Sequence, residues 1–360
     1  MHSFVTRLVS TATFIALTAC AEASAQAISA LPSFNPGDYA SVAKSVSDGG
    51  SVVVGYAGGR PAIWTNGGAP QSIGAYGNIQ GSEAFGVSRD GSVVVGQGNS
   101  RAFRWSANDG AQYLGSLSGG WWSNAYAVSG SGSVVVGSGD TLDQYNQSWE
   151  RAFRWTATGG MQDLGTLRMF THSTARGTNF DGSVVVGDSD NQAFRWTAGT
   201  GMVGLGNLSG TSESRATAVS GDGSVVVGQS GLSAFRWTAA LGMQGLSGFA
   251  GTGRYFANGV SADGSIVVGQ HASSYSAAIW TSNGQGELLW EYLATRGVSL
   301  SGWSALTNAY GISADGRFIV GYGTYGGQLR GFIADTGAVP APSVLALVSL
   351  TGFIGRRRRT

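Results

Sequence analysis

An all-β fold is what this sequence predicts: a seven-bladed β-propeller of four-stranded blades, its ring closed by an N-terminal strand. Three observations lead there. The phrase SVVVG stands at residues 51–55, 92–96, 133–137, 183–187 and 224–228, with variants SIVVG at 265–269 and RFIVG at 317–321. The closing glycines are 41, 41, 50, 41, 41 and 52 residues apart, so one unit recurs seven times with two localised insertions. A second phrase, AFRW, stands at 102–105, 152–155, 193–196 and 234–237, and degrades to AIW at 62–64 and 278–280 and GFI at 331–333. From Trp64, Trp105, Trp155, Trp196 and Trp237 to the next unit's glycine the count is always 32, which requires a fixed structural unit. The composition agrees. Of 360 residues 60 are Gly, 11 are Trp and one is Lys, and 11% are charged against about 25% in ordinary domains. Scarce Lys and Glu beside abundant Gly, Ser, Val and Trp disfavour helices.

Each unit reads as four short strands. In the second unit the first covers 84–88, and Asp90-Gly91 makes a hairpin turn, because Gly accepts positive φ without steric cost. The second strand covers 92–96, the third 102–105, and the fourth is marked by Tyr113, Leu114 and Leu117. In the third unit the fourth strand reads MQDLGTL over 161–167. The Val-Val-Val core shows no polar alternation, so both its faces are covered by neighbouring units. Four strands in roughly 40 residues are the dimensions of a propeller blade. The insertions are 140–149, between second and third strands, and a segment carrying a helix over 287–295 followed by 297–303. The seventh unit offers strands at 309–313, 318–321 and 331–334 but no fourth. Residues 28–31, before the first unit, supply a strand that completes this blade and closes the ring. The alternative is an open β-solenoid, for which 41 residues per coil is long.

Both ends stand apart from the repeats, giving three segments: 1–25, 26–337 and 338–360. Arg7, an apolar stretch over 8–21 and the small residues Ala23 and Ala25 make a secretory signal peptide with its cleavage site. Leu17-Thr18-Ala19-Cys20 admits a rival reading, with Cys20 lipidated; it is the one Cys of the sequence. At the other end Val339, Pro340 and Pro342 precede an apolar run over 344–355 and then Arg356, Arg357, Arg358 and Arg359. A dozen apolar residues are short for a full span, and the arginines would stay cytoplasmic. Processing of both ends removes five of the 21 basic residues and one of the 20 acidic ones. That leaves 16 and 19, a body near −3, which disfavours nucleic acid as a partner.

The order of Pro motif, short apolar helix and Arg cluster resembles the PEP-CTERM sorting signal of exported proteins in Gram-negative bacteria, with Ala341 where the eponymous motif has Glu. The resemblance implies an exosortase-type sorting enzyme as partner, transient anchoring in the inner membrane, and delivery to the cell envelope or outside. Residues 152–167, AFRWTATGGMQDLGTL, resemble the HAF extracellular repeat family. Phe103, Phe153, Phe194 and Phe235 match that family's Phe, whereas Arg, Arg, Gln and Ser precede Ala102, Ala152, Ala193 and Ala234 where it has His. The family implies export and a repeat fold, and no activity.

The residues that could carry chemistry are few. Asp48, Asp90, Asp181, Asp222, Asp263 and Asp315 recur at the turns, as calcium ligands or as turn caps. Replacement by Ser131 in the third unit favours capping. Arg104, Arg154, Arg195 and Arg236 recur in the third strand, where Ile63 and Ile279 replace them, which fits interblade packing better than a binding row. Glu287 and Glu291, four apart, could form a hydrolytic carboxylate pair or a solvated helix face. His172 and His271 occupy unmatched positions, and nothing resembles a metal, cofactor or nucleophile motif. Trp121, Trp122 and Tyr126, with Tyr145 and Trp149 of the first insertion, are the candidate platform for sugar stacking or, alternatively, blade packing. The expectation is therefore a non-enzymatic structural or binding module of the envelope or extracellular matrix, with exopolysaccharide as candidate ligand. A carbohydrate-active hydrolase or lyase on the same scaffold is the alternative.

Overall fold

The computed structural model describes residues 27–38, 40–73, 82–169, 171–249, 253–282 and 284–337. They form seven antiparallel sheets of four strands each, packed side by side around a central axis as a propeller. Blade four shows the plan. Its strands run Ser173–Thr178 at the axis, then Val184–Ser189, Gln192–Thr197 and Gly201–Gly204 outward. The signal peptide and sorting tail read from the sequence lie outside the described residues.

The valine triplets face two neighbours at once. In blade three Val134 and Val136 pack with Val185 and Phe194 of blade four, whereas Val135 packs with Val93 and Val95 of blade two. All three are essentially buried, and each contributes roughly 1.5–3 kcal/mol by leaving water. Polar glue runs between the same blades. Ser173 Oγ accepts from Ala152 N at 2.9 Å and donates to Gly165 O at 2.6 Å, tying blade four to the third strand of blade three and to the segment that follows its fourth. Ser123 and Ser214 repeat the bridge.

The ring closes as predicted. Ala27–Leu31 is the fourth strand of blade seven, antiparallel to Gln328–Asp335, with Ile28 opposite Ala334 and Leu31 opposite Gly331. Ser41 Oγ accepts from Gly331 N at 3.0 Å and donates to Leu31 O at 2.8 Å. The junction of the two chain ends thus uses the same serine bridge as an internal junction. Leu31 is fully buried among Trp64 and Val320.

Several details differ from the sequence reading. The fourth strands end early: in blade three the strand is Gly160–Asp163, and Leu164 and Leu167 leave it to pack on blade four. The first insertion is a hairpin extension, since Val134–Leu142 and Ser148–Thr156 stay paired out to Leu142 and Ser148. The helix is Leu289–Ala294, and Glu287 belongs to the preceding strand Gly286–Leu288. Glu287 and Glu291 therefore share no helix face, because the fourth strand of blade six claims the first of them. Asp48 is offset by one position from the other turn aspartates and joins a short 3-10 turn, Asp48–Gly50.

Connections between second and third strands, and from fourth strand to next blade, emerge on one face of a propeller. Both insertions therefore rise on that face, called the upper face below.

Candidate functional site in the central channel

The innermost strands line a channel of about 450 Å³. Each carries a β-bulge at the same repeat position, where the register skips one residue between an Ala and a small or Ser residue. The skipped residues are Lys44, Phe85, Tyr126, Arg176, Thr217, Asn258 and Tyr310, and all seven line the channel. A bulge leaves its extra residue outside the ladder and re-aims the side chain. Seven bulges therefore present seven different side chains to one space, on a scaffold that is otherwise repeated. The strand-end Gly is what permits this. A Cβ at Gly187 would stand 1.9 Å from Thr174 O, and one at Gly137 1.8 Å from Asn124 O, so the bulged strand crosses directly over the glycine.

The lining holds two cations, three aromatic rings and no carboxylate. Lys44 Nζ sits 4.1 Å from the centroid of Tyr310, and Arg176 Cζ lies 5.9 Å from that of Tyr126. In a ring of seven, blades one and four lie across the axis, so the two cation–aromatic pairs face each other. Tyr126 also packs against Phe85, centroids 5.5 Å apart. Asp188 orients Arg176, accepting from its Nε at 2.5 Å, and is also ion-paired with Arg215, Nε to Oδ1 at 3.3 Å. The terminal nitrogens of Arg176 remain for a ligand. Asn258 Nδ2 donates to Asn308 Oδ1 and Ala309 O, leaving its amide oxygen as the group it offers. Burial pushes the Lys44 ammonium below its ordinary range, partly offset by Glu83. Burial, then Tyr322, Tyr56 and Glu83, push Tyr310 up to about 12. Tyr56 and Tyr322 are raised as well, chiefly by burial.

At the lower mouth the turn residues bind blade to blade. Asp48 N donates to Arg89 O, Arg89 N to Gly130 O, Ser131 N to Phe180 O, Phe180 N to Gly221 O, Gly221 N to Ala262 O and Ala262 N to Ala314 O. Ala314 N donates to Asp48 Oδ1 at 3.1 Å and completes the circle, which explains the offset aspartate of unit one.

The structure separates the predicted platform. Tyr126 faces the channel, whereas Trp121 is 66% exposed on the upper face. The backbone amides of Trp121 and Trp122 both donate to Asp140 Oδ1, at the base of the insertion hairpin. Beyond it Trp149 packs against His172, centroids 5.6 Å apart, and Tyr145 is 73% exposed. Four residue steps of extended chain, roughly 13 Å, separate Trp122 from Tyr126.

The repeated arginines act between blades where their bonds are seen: Arg154 Nε donates to Gly182 O and Arg195 Nε to Gly223 O, each in the next blade's turn. Arg104 lies 3.8 Å from Asp109 of its own blade. The turn aspartates serve their own turns. Asp222 Oδ1 accepts from Ser220 Oγ, Ser224 N and Ser224 Oγ, and these bonds hold the carboxyl below the usual range. Asp90, Asp181 and Asp263 are lowered by equivalent bonds against the opposing effect of burial, which is the largest single influence at Asp263. Such groups stabilise the fold above their unfolded pKa, and that stability is lost as pH falls through the depressed folded value. Among the described residues no three His, Cys, Asp or Glu stand close enough to hold a metal ion. Asp222→Ala is expected to cost at most about 1 kcal/mol and Asp222→Ser less, since Ser131 already serves in unit three. Millimolar calcium should leave the melting temperature unchanged; a calcium-dependent rise lost in Asp222→Ala would restore the ligand reading.

No family model and no curated protein matches the chain. Among solved structures it is similar to an oligogalacturonate lyase in complex with manganese, at 13% identity and TM-score 0.55, covering 83% of this chain and 90% of that one. It is likewise similar to an oligogalacturonate lyase from Vibrio parahaemolyticus, at 12% identity and TM-score 0.58, covering 86% and 93%. At such identities the likeness is one of fold. Among the described residues no helix is long and apolar enough to cross a membrane.

The sequence reading missed the channel residues, although a signal was present. Between Ala43 and Ser45, Ala84 and Gly86, and Ala175 and Gly177 stands a position that changes from Lys to Phe to Arg while the preceding Ala is kept.

Proposed function

We propose that this protein is an exported, tail-sorted propeller that binds an acidic saccharide in its central channel, as a binding module of the envelope or extracellular matrix. The observation that carries the reading is the pair of cation–aromatic couples, Lys44 with Tyr310 and Arg176 with Tyr126, facing each other in a lining without carboxylates. Aromatic rings take the apolar faces of a sugar, the cations its carboxylate, and Asn258 a hydroxyl. The PEP-CTERM-like tail, with Val339, Pro340, Pro342 and Arg356 to Arg359, supports sorting by an exosortase-type enzyme. Deletion of residues 338–360 should then change where the protein is found, and unchanged localisation would refute the sorting claim.

Calorimetric titration with oligouronates and neutral oligosaccharides tests the site. Lys44→Met and Arg176→Met are each expected to weaken uronate binding by roughly 10- to 100-fold, the worth of a hydrogen bond to a charged group, without changing the fold. Lys44→Met should melt no lower than the wild type, because it removes a desolvated ammonium. Binding an anion requires protonated Lys44. Affinity should therefore fall as pH rises from neutral through the depressed lysine pKa, and stay flat over that range in Lys44→Met. If Trp121→Ala plus Trp122→Ala costs more than the two cation changes, the ligand lies on the upper rim instead.

A second reading, a carbohydrate-active hydrolase or lyase, has one observation in its favour. Lys44, its pKa depressed by burial, stands over Tyr310 within the same channel, an arrangement that could serve as acid and base. Release of shortened or unsaturated products from a uronate polymer, lost in Lys44→Met, would favour it. The lyase scaffolds add only weak support.

A further inference from the structure

The channel narrows toward its lower end. Arg89 starts on blade two and reaches across the axis: its Cζ lies 4.8 Å from the ring centroid of Phe180 on blade four. Its Cγ and Cδ run over Gly130 of blade three, 3.1 Å from where a Cβ would stand, and its Nη2 is 2.4 Å from the Cβ position of Gly221 on blade five. Blades two and five are as far apart as a ring of seven allows, so the side chain spans the lower mouth. Gly130 and Gly221 leave it the room. The circle of turn hydrogen bonds beneath draws the blades together. Seven residues at the roughly 5 Å spacing of hydrogen-bonded backbones leave only about 11 Å between opposite Cα atoms, and Arg89 and Phe180 fill much of that. The space lined by these turns shrinks to about 150 Å³, against about 450 Å³ above it.

A saccharide coming from the upper face therefore meets a constriction bridged by Arg89. A groove would take internal stretches of a polymer, and a through-channel would let a chain pass. A channel narrowed in this way favours neither. We propose that the site takes the terminal residues of an acidic glycan chain and leaves the rest of the chain outside, so that the protein caps chain ends instead of coating chains. This rests on the channel reading given above.

The test uses the protein as secreted by its source cells, with ladders of oligogalacturonate and oligomannuronate as probes. Titration calorimetry and analytical ultracentrifugation read affinity and the number of protein molecules per chain. The expected result is one protein per recognised end at every length, an affinity that stops improving after two or three sugar residues, and a loss of at least about tenfold when chain ends are chemically blocked. Protein molecules accumulating along longer chains, with blocked ends making no difference, would overturn end recognition while leaving the channel reading intact. If neither ladder binds at any length, the acidic-saccharide reading itself falls and the inference falls with it.

Discussion

Gly187→Ala is expected to destabilise the protein by roughly 3 kcal/mol or more, a fall in melting temperature of at least about 4 °C at this size. The added Cβ would stand 1.9 Å from Thr174 O and 2.9 Å from its carbonyl carbon, with the Ala175 Cα at 3.0 Å. All three are backbone atoms, so no side chain can turn away to relieve the clash. The strand Ser173–Thr178 has to lift, and the bulge between Ala175 and Gly177 that aims Arg176 into the channel goes with it. Stability and binding should therefore fall together. Gly199→Ala is the control: nothing lies within 4 Å of its added Cβ and its φ is not positive, so it should be neutral or slightly stabilising. Calorimetric melting of the two variants checks the claim, and a Gly187→Ala protein that melts with the wild type would show that the bulge tolerates a side chain.

Blade count, strand order and closure could be read because they depend on periodic features: valine triplets covered on two faces, turns with positive-φ glycines, and a seventh unit missing its fourth strand. The glycine at the end of SVVVG was legible as punctuation, but its reason was not. It is a cross-strand contact, and a single strand does not announce what crosses over it. The inward aim of Lys44 and Arg176 is hidden for the same cause, since a bulge breaks the alternation by which inward and outward positions are told apart. Arg89 was further out of reach. Its contacts are with Gly130, Phe180 and Gly221, in three other units, and no repeat-by-repeat reading connects positions that meet only across the axis. Conversely, Trp121, Trp122 and Tyr126 looked like a cluster because they are close in sequence, whereas an extended strand carries near neighbours to different ends of itself.

Removing residues 27–31 should have the largest effect on the protein as a whole. This strand is the junction between the first and last units, and its partners are 300 residues away, with Leu31 opposite Gly331. Without it the chain keeps every internal blade but loses the fourth strand of blade seven, the acceptor of the Ser41 Oγ bond at Leu31 O, and the side chain that fills the space beside Trp64 and Val320. The edge of Gln328–Asp335 would be left bare, with its unpaired N–H and C=O groups ready to pair with another chain. Leu31→Ala alone should cost about 2–5 kcal/mol, as truncation of fully buried leucines does. Deletion of the strand should abolish a single cooperative melt and produce concentration-dependent association. A synthetic peptide spanning residues 26–33 should reverse part of this by adding back as an edge strand, and its sequence reversed should not. The physical reason for so large an effect is that a ring of blades has no end caps. Each blade is covered because its neighbour is present, and one unclosed junction exposes two faces at once. A deletion variant that melts cooperatively, as a monomer, at the wild-type temperature would mean that the blades hold their curvature without closure.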